Sequence, residues 1–373
     1  MEISDLSFLE VQKVFLKKII DNNEYNKTIV KHYERLEKNY PMLNFLNKIE
    51  AIENCNQLWE VDHYQKQKVK DFKRTNLCKD KFCNNCKNVK QASRLTKFMP
   101  MIEEFAKDKY LYHMVLTVPN CNGLDLSHVI RENLFKSFKR LNRYLNLDLK
   151  IKGLDLEQYA YQGAIRSLEV TYRVDDYHPH LHCIIALDKP IDNNRHIVNI
   201  YSKSKKNGYR KFTDFEILIQ KIWYLLNNGQ RVTKKAIDCL EVGYSCTVDT
   251  IDDSSVYEVF KYMTKATDEK GNYITYNNFE TLYFALFRVR QIQGYGCFYN
   301  VKDDDSIIDE ADELYDVIVE LLRAKENPLA VWQTVEDLLL DSDNLITLCR
   351  MHHEQAEKGI ITKEELLKMI ENK

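Results

Sequence analysis

The chain has 373 residues, with 54 Lys and Arg against 56 Asp and Glu and a formal net charge of -2. That length exceeds one ordinary domain, and 44% apolar with 11% aromatic residues is enough to build proper cores. The N-terminus Met1-Glu2-Ile3-Ser4-Asp5 is acidic, and no apolar run approaches the roughly 18 residues of a membrane helix, so the expectation is a cytoplasmic protein with no membrane partner.

Residues 1 to about 50 hold few Gly or Pro and read as helical, ending near Tyr40-Pro41. Between Lys66 and Lys97 there are 11 Lys and Arg against two acids, Asp71 and Asp80, a local balance of 11 − 2 = +9. Such a stretch suggests a polyanion partner, with Lys73, Arg74 and Lys81 as candidate contacts. The same stretch holds Cys78-x4-Cys83-x2-Cys86, with Cys55 upstream. Ten cysteines without an export signal read as thiols or metal ligands, not as a disulfide scaffold. Four thiolates would close a tetrahedral Zn²⁺ site whose role is structural. His63 or Cys349 could replace Cys55 as the fourth ligand.

Tyr112 to Val118 reads as a strand closed by Pro119-Asn120. Ile130, Leu134, Phe138, Leu141 and Leu145 recur at helical spacing, with Ser127 as candidate N-cap. Ala164 to Arg173 alternates strictly: Leu168, Val170 and Tyr172 are apolar, Ser167, Glu169 and Thr171 polar. Tyr177-His178-Pro179-His180-Leu181-His182-Cys183-Ile184-Ile185 is the most informative run of the chain. As a strand it puts His178, His180 and His182 on one face and Leu181, Cys183, Ile185 and Leu187 on the other. Folding the two strands together through Val174–Tyr177 sets Glu169 opposite His182, on the imidazole face. Glu169, His180 and His182 are the expected ligands of a catalytic divalent ion. His178 is a supporting group or substitute third ligand.

A basic loop follows (Lys203, Lys205, Lys206, Arg210, Lys211), then a helix from about Asp214 to Asn227. A further helix is expected from Val256 to Ala266, where Glu258 and Tyr262 lie four apart on one face and Lys261 and Lys265 flank the phenol. A tyrosine nucleophile needs cations or a metal beside it, because an ordinary phenol ionises only near pH 10. Asp303 to Glu320 holds nine acids and no Lys or Arg, and reads as a solvated start to a separate tail. The expected organisation is therefore a helical, cysteine-rich basic region over 1–98, a catalytic domain over 99–300 and an acidic helical tail over 301–373. The fold class is α+β around an antiparallel sheet flanked by helices.

At this point the chain resembles the rolling-circle plasmid replication initiators of Gram-positive bacteria, within the HUH endonuclease superfamily. Met114-Val115-Leu116-Thr117-Val118-Pro119-Asn120 looks like the family's first motif. Glu169 to Tyr172 with His178-Pro179-His180-Leu181-His182 looks like its metal motif, and Glu258-Val259-Phe260-Lys261-Tyr262 like its catalytic helix. Cys55 with Cys78, Cys83 and Cys86 resembles the cysteine segment of one branch. The resemblance implies a core like the RNA-recognition-motif sheet, bound Mg²⁺ or Mn²⁺, and Tyr262 attacking origin DNA to leave a 5′-phosphotyrosyl link. Glu258 would be the general base, Lys265 would support the phenolate, and Lys73, Arg74, Lys81 and Lys261 would contact DNA. The implied partners are single-stranded origin DNA, a host helicase and a single-strand-binding protein. Tyr257 is the alternative nucleophile. A transposase or relaxase would share the His motif, and a zinc-dependent DNA-binding regulator without catalysis would use only the Cys/Lys region.

Asp343 to His353 resembles the closing half of an HNH nuclease motif, with Asn344 and His353 at matching positions. Ala330 to Val335 lacks the first histidine of that motif, so the segment reads as a borrowed fragment or a helix with exposed His.

Overall fold

A computed structural model describes residues 8–66, 69–200, 208–241, 245–251, 256, 259, 273–301, 323–324, 326–341 and 346–349. In chain order, helix α1 spans Phe8–Asn39 and α2 Leu46–Glu53, followed by strands β1 (Leu58–Tyr64) and β2 (Val69–Thr75) and helix α3 (Asn84–Asp108). Strand β3 spans Tyr110–Thr117, β4 Tyr161–Arg173, β5 Asp176–Leu187, β6 Arg195–Ile200 and β7 Gly208–Thr213. Strands β8 (Cys246–Thr250), β9 (Ile292–Gly296), β10 (Leu329–Thr334) and β11 (Ile346–Cys349) complete the set. The class is α+β, with antiparallel pairing dominant.

The chain divides into two units, one of residues 1–97 with 305–373 and one of residues 98–304. Residues set apart as a tail by sequence thus group with the N-terminal region. In that first unit β10 pairs antiparallel with β1, β1 antiparallel with β2, and β11 parallel with β2. Leu16 and Ile19 of α1 pack with Trp59, Val61 and Phe72 of the sheet and with Val335 and Leu338 of the Val335–Asp341 helix. Burying such side chains contributes about 1.5–3 kcal/mol each, which ties α1 to the Val335–Asp341 helix through the sheet.

The second unit is built on a five-stranded sheet in the order β8-β3-β5-β4-β9, antiparallel throughout. Its central strand β5 is the His strand. Met114, Leu116, Leu181, Cys183, Ile185 and Leu168 are buried, as period 2 requires of one face. Helices cover that side: Phe138 meets Tyr295 edge to face at 5.4 Å, and the Arg166 guanidinium lies 3.7 Å from the Phe135 ring centre. The opposite face carries His113, Val115 and Thr117, all only half-buried, and leads to the site.

The helical run over Leu126–Leu145 matches the expected apolar spacing, but it begins one residue before Ser127, with Asp125 at its N-cap. Asn122 and Asp125 exchange hydrogen bonds there, Asp125 N–H to Asn122 Oδ1 and Asn122 Nδ2 to Asp125 Oδ2, both 3.0 Å. Val129–Lys136 within the run is π-helical. The Asp214–Asn227 helix starts on a capping box, Thr213 Oγ1 accepting from Glu216 N–H while Glu216 Oε2 accepts from Thr213 N–H. Arg210 and Lys211, expected in a basic loop, belong to β7 paired with β6. Among the described residues no helix is long and apolar enough to cross a membrane.

Candidate functional site

Strands β4 and β5 form a hairpin closed by Val174 and Asp175, since Arg173 already pairs with Asp176. Asp175 takes the left-handed conformation at φ 47°, which Asp tolerates better than most residues. This tight turn puts Glu169 opposite His180 and Ser167 opposite His182, correcting the expected Glu169–His182 register by two residues. A two-residue shift preserves the face, so the carboxylate still meets both imidazoles.

Glu169 Oε2 lies 3.3 Å from His180 Nε2 and 3.1 Å from His182 Nε2. All three residues are buried, on the sheet face opposite the one that the Leu126–Leu145 helical run covers. Nitrogen and oxygen ligands about 2.1 Å from an ion at right angles stand about 3 Å apart, so the spacing suits one small divalent cation. Burial pushes the Glu169 carboxyl up, but hydrogen bonds from His180 and His182 together outweigh it and hold the group well below the ordinary carboxylate range. The carboxylate is thus ready as an anionic ligand.

The sheet also orients the imidazoles. His180 Nδ1 lies 3.1 Å from the His178 carbonyl oxygen, which can only accept, so Nδ1 carries a proton and Nε2, now turned to Glu169, is the nitrogen that would give up its proton to ligate a metal. His182 Nδ1 meets His113 Nε2 at 3.1 Å, the two rings stacked. His113, on β3, is the site residue that sequence reasoning missed. Its one signal was its odd position in the Tyr112–Val118 strand, on the same face as Val115 and Thr117. His178 stacks on His180 at 5.0 Å without joining the converging atoms, and burial lowers its pKa, with the neighbouring His180 adding to the effect.

The helix expected to carry Glu258, Lys261, Tyr262 and Lys265 lies outside the described residues except for Val256 and Val259, which are helical and buried. Tyr257, the acidic Asp303–Glu320 stretch, Asn344 and His353 lie outside them as well.

In the other unit Cys55, Cys78, Cys83 and Cys86 converge, with Sγ atoms 3.5 Å apart for Cys55–Cys83 and 3.6 Å for both Cys55–Cys86 and Cys78–Cys86. Four sulfurs about 2.3 Å from a tetrahedral ion stand about 3.8 Å apart, so this set fits Zn²⁺. Among the described residues Cys55, not His63, is the one brought to the other three, and the Cys349 side chain lies outside them. The crowding of the four sulfurs pulls the Cys83 thiol well below its ordinary range and pushes those of Cys55, Cys78 and Cys86 up. Asn26 Nδ2 donates to Cys83 Sγ at 3.2 Å and Lys79 N–H to Cys86 Sγ at 3.2 Å, which favours charged sulfur. Lys87, buried one residue after Cys86, is pushed down to about 8 by burial, partly offset by the Cys83 charge.

The basic stretch is partly neutralised in space. Lys73 Nζ lies 3.2 Å from both Asp62 and Asp71, and Arg74 pairs with Glu60 and stands over the Trp332 ring. Lys81 is half-buried and its pKa is lowered to about 8 by burial.

A family model described as "Replication protein" matches residues 69–335. A relative from Staphylococcus aureus named "Protein rep" is 28% identical over 170 residues, 43% of this chain and 69% of its own. Another "Protein rep", from a Bacillus species, is 23% identical over 320 residues, 82% of this chain and 96% of its own. No solved structure matches the chain. With Glu169, His180 and His182 brought together on β4–β5 and the match covering more than half its length, the chain belongs to the replication protein family, the plasmid replication initiators that its motifs resemble.

Proposed function

We propose that this protein starts rolling-circle replication by nicking single-stranded origin DNA with Tyr262 and later rejoins the strands. The convergence of Glu169, His180 and His182 on one face of β4–β5, in a chain of the replication protein family, carries the reading. We read the five-stranded sheet as the HUH-type core related to the RNA-recognition-motif fold, and the Cys55-Cys78-Cys83-Cys86 segment as a structural Zn²⁺ site that shapes the basic region.

Two imidazole nitrogens and one carboxylate oxygen form a mixed donor set, which suits Mn²⁺ better than Mg²⁺, a cation that prefers oxygen. Bound there, the ion would polarise the scissile phosphate and offset charge building up on its oxygens. The Tyr262 oxygen attacks phosphorus, an O–P bond to the tyrosine forms, and the P–O3′ bond breaks. The phenol proton is lost to solvent water and the departing 3′ oxygen takes one up from solvent, giving the 3′-OH that primes synthesis, while the new phosphoester keeps the bond energy needed for rejoining. Glu258 acts as general base on a later nucleophile, Lys261 and Lys265 stabilise the phenolate, and Lys73, Arg74 and Lys81 with Lys261 contact DNA. A host helicase and single-strand-binding protein would act on the opened strand, in the cytoplasm.

Supercoiled plasmid carrying the origin of the replicon that encodes the chain tests the reading. Wild-type protein with Mn²⁺ should give open circles, Tyr257→Phe should do the same, and Tyr262→Phe should give none. Wild-type nicking by Tyr262→Phe would remove Tyr262 as nucleophile.

A further inference from the structure

The imidazole face of the five-stranded sheet continues past the His strand. Directly opposite residues of antiparallel strands share a face. Val115 stands opposite His182 and Thr247 opposite Val115, so this face runs across β3 onto the edge strand β8. One step along, Asp249 stands opposite His113, whose Nε2 lies 3.1 Å from His182 Nδ1. Asp249 thus ends a row that leads from the metal-site imidazoles to the sheet edge.

That row meets a cation. Arg195, the first residue of β6, brings Nη2 to 3.9 Å from Asp249 Oδ1. The distance is too long for a hydrogen bond, and the two side chains are 39% and 62% exposed. Exposed pairs of this kind hold little. A guanidinium has five donors in a planar fork, so Arg195 can still take an anion in two-point contact.

Its neighbour fixes its direction. His196 Nε2 meets Asp214 Oδ1 at 2.9 Å, at the start of the Asp214–Asn227 helix. That helix lies against the outer edge of β8, where Glu216 Oε1 accepts from Val248 N–H at 2.9 Å and Gln220 Nε2 donates to the Cys246 carbonyl at 3.1 Å. Successive side chains of a strand point to opposite sides. With His196 turned to the helix, Arg195 is turned to the side where Asp249 stands. From β8 to β5 is two strand spacings, roughly 10 Å, a length that a nucleic-acid backbone covers in a few nucleotides.

We propose that Arg195 is a phosphate-positioning residue, holding the backbone of the substrate strand at the β8 edge, a few nucleotides from the bond at the metal site. The proposal rests on the replication-initiator reading and adds the side chain that sets where the strand crosses the imidazole face.

Binding of single-stranded DNA from the origin of the encoding replicon, measured over a salt series, tests it. Each phosphate contact to a single strand contributes about 0.7 to the slope of log affinity against log salt. Arg195→Ala should lower the slope by that amount and weaken binding about fivefold near 0.1 M salt, whereas Arg195→Lys should keep the slope. Asp249→Asn breaks the same ion pair from its other side and removes a negative charge, so it should keep the full slope and bind at least as tightly as wild type. An unchanged slope in Arg195→Ala overturns the proposal. So does a loss in Asp249→Asn equal to that in Arg195→Ala, because the pair would then only tie β6 to β8. Wild-type protein that does not bind the strand overturns the initiator reading as well.

Discussion

His113 Nε2 lies 3.1 Å from His182 Nδ1, with the rings 5.3 Å apart and within 4° of parallel. If His182 gives its Nε2 lone pair to a cation, its proton sits on Nδ1 and His113 must accept it. Such outer partners fix the tautomer and direction of a ligand. His113→Phe keeps a flat ring but removes the acceptor, so Mn²⁺ affinity should fall about 10- to 100-fold in an electron paramagnetic resonance titration. Unchanged affinity would reduce His113 to a packing role.

Acid should weaken the metal-free second unit through Glu169. Its folded pKa lies below the ordinary 4.5, so the folded state holds the proton less tightly than the unfolded chain. The stability this contributes is present above pH 4.5 and drains away as pH falls toward the depressed value. Thermal melts of Glu169→Gln should therefore be flatter than wild type on the acid side. Parallel decline of the two would contradict the assignment.

Asp71 gives the opposite sign. Burial raises its pKa to about 6, against the pull of Lys73, and Asp62 lies directly opposite on β1. A raised carboxyl contributes stability below pH 4 that is lost as pH climbs through 6. Asp71→Asn should thus stabilise the first unit by up to about 3 kcal/mol at pH 7 and by nothing near pH 4. A penalty at both pH values would show that the Lys73 ion pair matters more than the burial.

The cysteine set predicts a metal of its own. Purified protein should carry one Zn²⁺ per chain by elemental analysis, and Cys83→Ser should lose it together with helical circular dichroism from the first unit. Structural Zn²⁺ contributes on the order of 10 kcal/mol to such a fold, so a strong chelator should unfold it. A metal-free chain that melts like wild type would leave the four thiols without that role.

Much of the second unit was legible because its signals are local. Alternation over Ala164–Arg173 and the spacing of His178, His180 and His182 fixed which face the ligands share, whatever the register. The register itself depended on the turn, where Asp175 in the left-handed region allows two residues where a longer loop was expected. His113 was missed because one imidazole in an apolar strand carries no pattern until β3 is laid beside β5. The pairing of β1 with β10 joins residues some 270 positions apart, and no periodicity within either segment encodes it. The Cys83-x2-Cys86 knuckle was legible, whereas its neighbours' charge was not: Lys73 and Arg74 meet acids of β1 only after the strands pair.

On the proposed mechanism a divalent ion on β4–β5 serves the tyrosine that cuts DNA. Mass spectrometry of the peptide left attached to single-stranded origin DNA after incubation with Mn²⁺ tests it most directly. One adduct is expected, on Tyr262, absent with chelator and absent in His180→Ala with His182→Ala. An adduct on another residue, or an undiminished one in that double variant, would contradict it.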